Sequence, residues 1–325
     1  MNPPVAVVTG ATGCVGRALV RRLVDQGVAV RAVSRSAGPE TAGVTSIQAD
    51  VRDAEALRSA CTGADVVFHL AAYVHDVVSI DDTQQQQSVT LGGTTNALAA
   101  AERSGVKHFV FASSLAVHGP VNSVATEESP CAPNTPYGRA KLEAERAVSD
   151  FASRTGAFAS SIRPAMIYGV GCGGNLPRMI RAVAARRFPP IPEFGNRRSM
   201  VWDSDVASAM IAAWRARPRG GRAFIVTDGD VYSTRRLYEL ILHALGRTPP
   251  GISIPRIVFD AAARIGDVGG RAIGRRLPFD TTALARIAGS AEFASVRAGE
   301  LGFAPTQTLA DALPAMIRHL ERSGD

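Results

Sequence analysis

The sequence predicts an α/β fold, a doubly wound parallel sheet with a smaller carboxy-terminal region. Three observations predict it. Short apolar runs alternate with helix-periodic segments through the first half of the chain. A Gly-rich turn joins the first run to the first helix, and a Pro/Gly-rich stretch from Tyr168 to Gly195 breaks the rhythm.

Val5 to Val8 reads as a first strand, and Arg17 to Gln26 as a helix, because Ala18, Leu19, Leu23 and Val24 recur at helical spacing. Gly27 ends that helix before a strand at Val28 to Val33. The alternation continues with a helix at Ala54 to Cys61, a strand at Asp65 to Leu70, a helix at Gly92 to Arg103 and a strand at His108 to Ala112. Leu142 to Thr155 and Ala159 to Arg163 add one more pair. Gln84 to Gln87 reads as a solvated loop or a helix start. The expected division assigns residues 1–167 and 198–227 to the sheet domain and residues 168–197 and 228–325 to the smaller region. There, Ser233 ahead of Leu237, Leu240, Ile241 and Leu245 reads as a capped amphipathic helix.

Composition excludes disorder, collagen and a disulfide-stapled miniprotein, since 46% of the 325 residues are hydrophobic and 20% charged. The formal charge is +7, from 36 basic and 29 acidic residues, but only Lys107 and Lys141 are lysines and no nucleic-acid motif accompanies the charge. A nucleic-acid partner is therefore not expected. No apolar stretch is long enough to span a bilayer and the amino terminus lacks a signal-peptide layout, so a cytoplasmic protein without a membrane partner is expected. Cys14, Cys61, Cys131 and Cys172 are far apart in sequence and form no C-x-x-C pair. Reduced thiols and no metal site are expected.

Four groups of residues carry chemistry. Gly10, Thr12, Gly13, Cys14, Val15 and Gly16 lie between the first strand and first helix, the setting in which backbone N–H groups and a helix N-terminus hold a pyrophosphate. The second strand ends Val33-Ser34-Arg35-Ser36 with no carboxylate for ribose hydroxyls. Arg35 could hold a 2′-phosphate, which favours NADP(H) over NAD(H); if Arg35 is only a solvated arginine, the preference stays open. Tyr137 and Lys141 stand one helical turn apart, so the ammonium is expected to lower the phenol's pKa and make Tyr137 an acid or base. Ser113 and Ser114 follow an apolar strand at the carboxyl end of the sheet, where a hydroxyl can bind a reacting oxygen or merely form a turn.

The glycine fingerprint, Phe68-His69-Leu70-Ala71-Ala72, the Ser-Ser-x-x-Val-x-Gly run ending at Gly119 and Tyr-x-x-x-Lys, in this order, resemble the extended short-chain dehydrogenase/reductase family over essentially the whole chain. The resemblance implies a Rossmann-like sheet with catalytic Ser114, Tyr137 and Lys141. It implies that Asp50 and Val51 contact the adenine, and that Leu70, Ala71 and Ala72 pass the cofactor phosphates and ribose. Gly174-Asn175-Leu176 and Arg198-Ser199-Met200-Val201 are similar to members acting on nucleotide-diphosphate sugars, which implies His75, Ser114, Asn175 and Arg198 as substrate contacts. A homodimer is implied by the resemblance alone.

Leu115-Ala116 replaces the Asp-Glu pair of the dehydratases, which disfavours water elimination. Two further departures are His118, where a tyrosine is usual, and Thr90, where an asparagine is usual and normally supports the site. Short runs such as His69 to His75 resemble reductases of UDP-4-keto-6-deoxy-N-acetyl sugars, so NADPH-dependent 4-keto reduction is expected first and a 4-epimerase is the alternative. A reductase of a non-sugar ketone has no use for a diphosphate clamp. A cofactor-sensing regulator without turnover has no use for Ser114, Tyr137 and Lys141 together.

Overall fold

Parallel strands with both faces buried need two sets of apolar positions on alternate residues. The strands supply them. In the computed structural model, Val7, Val67 and Phe109 point into one core with Leu57, Ala97, Val148 and Phe151. Ala6, Val8 and Phe68 point into another with Leu19, Leu23, Val206 and Met210. The structure describes residues 3–36, 38, 41–74, 83–251, 253–273, 277 and 279–323.

The main sheet has seven strands. They are β1 (Val5–Thr9), β2 (Ala29–Ser34), β3 (Val44–Gln48), β4 (Val66–His69), β5 (His108–Ala112), β6 (Phe158–Pro164) and, after two strands of another sheet, β9 (Arg222–Val226). The order is β3-β2-β1-β4-β5-β6-β9 and all pairs are parallel. The order reverses between β1 and β4, so a crevice opens beyond Thr9 and His69. The layers are α1 (Cys14–Asp25), α2 (Ala54–Cys61), a short α3 (Thr83–Gln85) leading through a π turn at Gln86–Leu91 into α4 (Gly92–Arg103), α5 (Pro136–Thr155) and α7 (Asp203–Ala216), while α6 (Asn175–Ala184) belongs to the smaller region. Caps fix several boundaries: Asp53 accepts from Glu55 and Ala56 N–H at the start of α2. Thr135 accepts from Gly138 N–H at the start of α5, with Pro136 in the first turn.

The smaller region has its own core, in which Tyr168, Leu176, Ile180, Met200, Leu237 and Leu313 meet. Its three-stranded sheet is β10 (Val231–Tyr232), β8 (Arg198–Trp202) and β7 (Met166–Tyr168). The expected return of Arg198 to Val226 to the main sheet is corrected here. Only β9 joins it, because β8 runs parallel to β7 and antiparallel to β10. The helices α8 (Thr234–Ala244), α9 (Arg256–Ala272), α10 (Thr281–Ala288) and α11 (Leu309–Arg322) complete the region. Ser233 caps α8 through Arg236 N–H at 3.1 Å.

Candidate active site

The crevice at the reversal point is a cavity of about 780 Å³. Gly10, Thr12, Gly13, Cys14, Val15, Gly16, Arg35, Asp50, Val51, Leu70, Ala71, Ala72, Tyr137 and Lys141 all line it. Residues scattered from Gly10 to Lys141 thus meet at one site. The turn at Gly10 has φ +68°, and a Cβ there would stand 2.8 Å from the Ala71 nitrogen. Only glycine permits both the conformation and the approach. The first turn of α1 carries no acidic side chain, which leaves the helix's positive end to the cavity.

The Leu70 to Tyr73 segment is held by groups that the sequence did not single out for it. Thr9 Oγ1 accepts from Leu70 and Ala71 N–H at 3.2 Å each and reaches His69 Nδ1 at 2.8 Å. Since Thr9 must donate to that nitrogen, His69 carries its proton on Nε2, and burial drives its pKa down to about 3. Thr90 Oγ1 accepts from Tyr73 N–H at 3.1 Å and donates to Gln86 Oε1 at 2.8 Å, while Gln86 Nε2 donates to the Tyr73 carbonyl. The Asn-to-Thr departure therefore leaves a side chain that still supports the cavity wall, from a π turn.

At the adenosine end implied by the family resemblance, Asp50 grips Arg52 through both oxygens, at 2.9 and 2.8 Å. Arg52 and, more weakly, Arg35 hold the Asp50 carboxyl below its usual range. Among the described residues Arg52 alone pairs with this carboxylate, and the Arg35 side chain is exposed at the cavity rim.

At the other end Tyr137 is the second residue of α5, and the Ser114 hydroxyl stands beside its phenol. The contact requires α5 to start hard against Ala116. A Cβ on Gly138 would lie 2.4 Å from the Ala116 oxygen, so glycine there lets phenol and hydroxyl meet. Lys141 is buried, with Nζ donating to the Ala112 carbonyl at 2.6 Å and lying 5.9 Å from the Tyr137 ring centroid. Burial pulls its pKa down to about 7, against the Glu145 carboxylate one turn further along. The expectation that Lys141 lowers the Tyr137 pKa is corrected: burial raises it and the Ser114 hydrogen bond opposes the rise.

The two serines separate cleanly. Ser114 lies beside Tyr137 but outside the cavity lining, whereas Ser113 lines the cavity, is buried and donates to Glu145. Glu145 also accepts from Arg163, whose Nη1 lies 3.1 Å from His118 Nε2. Nη1 can only donate, so His118 has its proton on Nδ1, facing the Pro130 carbonyl at 3.3 Å. Glu145 and Arg163 escaped the sequence reading because a Glu eight residues after a Tyr looks like a solvated helix face.

The proposed substrate contacts are not gathered as expected. Asn175 opens α6 but is exposed and outside the cavity lining. The Arg198 guanidinium donates to the Arg286, Ile287 and Gly289 carbonyls at the end of α10, so it caps that helix. His75 lies outside the described residues. The expected reduced thiols are corrected for one pair: Cys14 and Cys172 form a disulfide with Cα atoms 5.2 Å apart, joining the phosphate turn to the loop before α6. Asp203 Oδ2 lies 3.4 and 3.8 Å from their sulfurs, a set that could ligate a metal only with both thiols reduced. Cys61 and Cys131 are free.

A seven-stranded parallel sheet with a Gly-rich turn at its reversal point and a Tyr/Lys/Ser group beyond its strand ends defines a nucleotide-cofactor oxidoreductase architecture. The NAD dependent epimerase/dehydratase family matches residues 6–226, and the chain belongs to that family. It is 25% identical, over 98% of its length and 96% of the relative's, to the N-acetyl-alpha-D-glucosaminyl-diphospho-ditrans,octacis-undecaprenol 4-epimerase of Escherichia coli O157:H7. It is 30% identical to the 2-alkyl-3-oxoalkanoate reductase of Stenotrophomonas maltophilia, covering 81% of each chain. Among solved structures it is similar to MoeE5 in complex with UDP-glucose and NAD, with a TM-score of 0.78 at 25% identity and coverage of 98% and 99%.

Proposed function

We propose that the protein is a 4-epimerase of a diphosphate-linked sugar, working on a nicotinamide dinucleotide held in the 780 Å³ cavity. The observation that carries the reading is that Tyr137 and Lys141 line the far end of a cavity whose near end is the Gly-rich turn, with Ser114 beside the Tyr137 phenol. The residues fit such a cofactor: the turn from Gly10 to Gly16 faces the pyrophosphate, Asp50 and Val51 the adenine, and Lys141 the nicotinamide ribose. The bound dinucleotide supplies a reversible hydride acceptor. With the dinucleotide bound, Tyr137 would take the proton of the C4 hydroxyl as C4 gives up hydride; after the keto sugar turns over in the site, Tyr137 would return the proton to the same oxygen as hydride comes back to the opposite face of C4, with Ser114 holding that oxygen. The relative matched over nearly the full length of both chains, a sugar-diphosphate 4-epimerase, supports the substrate class.

Arg35 favours a second reading, net reduction of a 4-keto sugar by NADPH, because a guanidinium at the end of β2 suits a 2′-phosphate and supports an exchangeable cofactor. One experiment separates the two. Purified protein is given UDP-glucose, UDP-N-acetylglucosamine, a UDP-4-keto-6-deoxy sugar and a 3-oxoalkanoate, with NADH or NADPH followed by absorbance in the same set of assays and products by NMR. Interconversion of C4 epimers without net absorbance change is expected. Stoichiometric NADPH oxidation on the keto sugar establishes the reductase, and turnover of the oxoalkanoate alone rejects both sugar readings.

A further inference from the structure

Half of the large apolar side chains that stand exposed among the described residues belong to α9 and its C-cap: Ile257, Val258, Ile265, Val268 and Ile273. The helix is apolar on two sides. Phe259, Ala263, Gly266 and Gly270 face inward, with Phe259 against Phe194 and Phe279 at ring-centroid distances of 5.9 and 6.2 Å. At 3.6 residues per turn, Ile257, Val258, Ala261, Ile265 and Val268 fall on the opposite, outward side. Their exposures of 74% for Ile257, 71% for Ile265 and 65% for Val268 leave this stripe in water. A contiguous outward apolar stripe of this kind is a surface for a partner.

The charges beside the stripe identify the partner. Arg264 and Arg271, both exposed, stand two turns apart along one edge, and Arg256 pairs with Asp260 at 3.8 Å at the start of the helix. The acids Asp260 and Asp267 lie inward of these arginines, and none interrupts the stripe. Pairing the stripe with its own copy around a two-fold axis would bring two like-charged arginine edges to one interface. Lipid phosphates offer those arginines the opposite charge, and the acyl boundary takes the apolar stripe.

We propose that α9 docks the enzyme on an anionic membrane surface, lying in the interface plane with Ile257, Val258, Ile265 and Val268 inserted and Arg264 and Arg271 on lipid phosphates. Among the described residues no helix is long and apolar enough to cross a membrane, so the helix lies on the surface. Docking there gives the cavity access to sugar diphosphates esterified to a membrane lipid. That consequence rests on the epimerase reading; the docking does not.

The test is co-sedimentation of the full chain with vesicles of phosphatidylglycerol and phosphatidylethanolamine, and with vesicles of phosphatidylcholine. Binding to the anionic vesicles that weakens with salt is expected, reduced about tenfold or more by the double variant Ile265→Asp/Val268→Asp and several-fold by Arg264→Glu/Arg271→Glu. The double variant keeps its melting temperature and its turnover of soluble UDP-sugar, since neither residue touches the cavity. Absence of wild-type binding to anionic vesicles, or equal binding by the double variant, overturns the proposal. So does a wild-type dimer in light scattering that the double variant makes monomeric without any vesicle binding, because a second copy then covers the stripe. Vesicle binding that is lost in the variant, in a protein that turns over no sugar diphosphate, upholds the docking and rejects the epimerase reading instead.

Discussion

Glu145 holds Arg163 through both carboxylate oxygens, Nε to Oε1 at 2.9 Å and Nη2 to Oε2 at 2.6 Å, with both side chains buried behind the serine pair. Ser113 and His118 complete the group, so each charge is paired and hydrogen-bonded. Glu145 is also the group that holds up the Lys141 pKa. Tyr137, Lys141 and Glu145 form one stripe along α5, of which the sequence reading used only the first two.

Replacing Glu145→Gln leaves the Arg163 charge buried without its partner. Unfolding free energy in urea falls by about 3–5 kcal/mol, the range for breaking a buried pair by removing one member. A Glu145→Leu/Arg163→Met double variant regains much of that loss, because no charge is left uncompensated. A loss below about 1 kcal/mol for Glu145→Gln would mean that water reaches Arg163.

Tyr137 and Ser114 have separable effects. Tyr137→Phe removes the group that moves the proton and lowers kcat by about 10³-fold or more, with dinucleotide affinity within a few-fold of wild type. Ser114→Ala removes one hydrogen bond to the reacting oxygen and lowers kcat by about 10²-fold. Steady-state kinetics with fluorescence titration of the dinucleotide reads both. Unchanged kcat in Tyr137→Phe would take the proton transfer away from this residue.

Stability depends on pH through Lys141. Its folded pKa of about 7 lies below its ordinary value of 10.5, so between these values the unfolded chain binds the extra proton. Stability therefore rises with pH from about 7 to 10.5, and below 7 the full cost of the buried ammonium is present. Wild type gains a few kcal/mol over Lys141→Met across that window, measured as the pH dependence of the difference in urea midpoints. Parallel curves for the two proteins would mean that the ammonium keeps a solvating partner in the fold.

The reach of the sequence can be seen at Gly10 and at Arg198. The turn around Gly10 is legible because its constraint is local: a φ of +68° and a backbone approach that only glycine tolerates. The Tyr137/Lys141 spacing is local as well, set by one helical turn. The arginine reading depended on which groups 90 residues away would surround the guanidinium, and no local pattern encodes that. The Cys14–Cys172 pairing, 158 residues apart, was hidden for the same reason. The outward stripe of α9 was hidden differently, since periodicity shows an apolar face without showing whether the fold covers it. The Tyr137 pKa direction failed because spacing reports a neighbour's charge but not burial, and burial is the larger effect here.

Arg198 supplies the last test, because its two roles predict different losses. Its Nε donates to the Gly289 carbonyl at 2.9 Å and Nη2 to the Ile287 carbonyl at 3.0 Å, with Arg286 as a further acceptor. These are carbonyls left without intrahelical partners at the C-terminus of α10, where a guanidinium is favoured both as donor and as charge. Arg198→Met keeps much of the packing and removes those bonds. As a cap, it lowers the melting temperature by several degrees, corresponding to about 2–4 kcal/mol, with KM for the sugar diphosphate changing only in proportion to the loss of folded protein. As a diphosphate contact, it raises KM by an order of magnitude at an unchanged melting temperature. Differential scanning fluorimetry beside steady-state kinetics on one preparation distinguishes them, and the hydrogen bonds of α10 favour the first outcome.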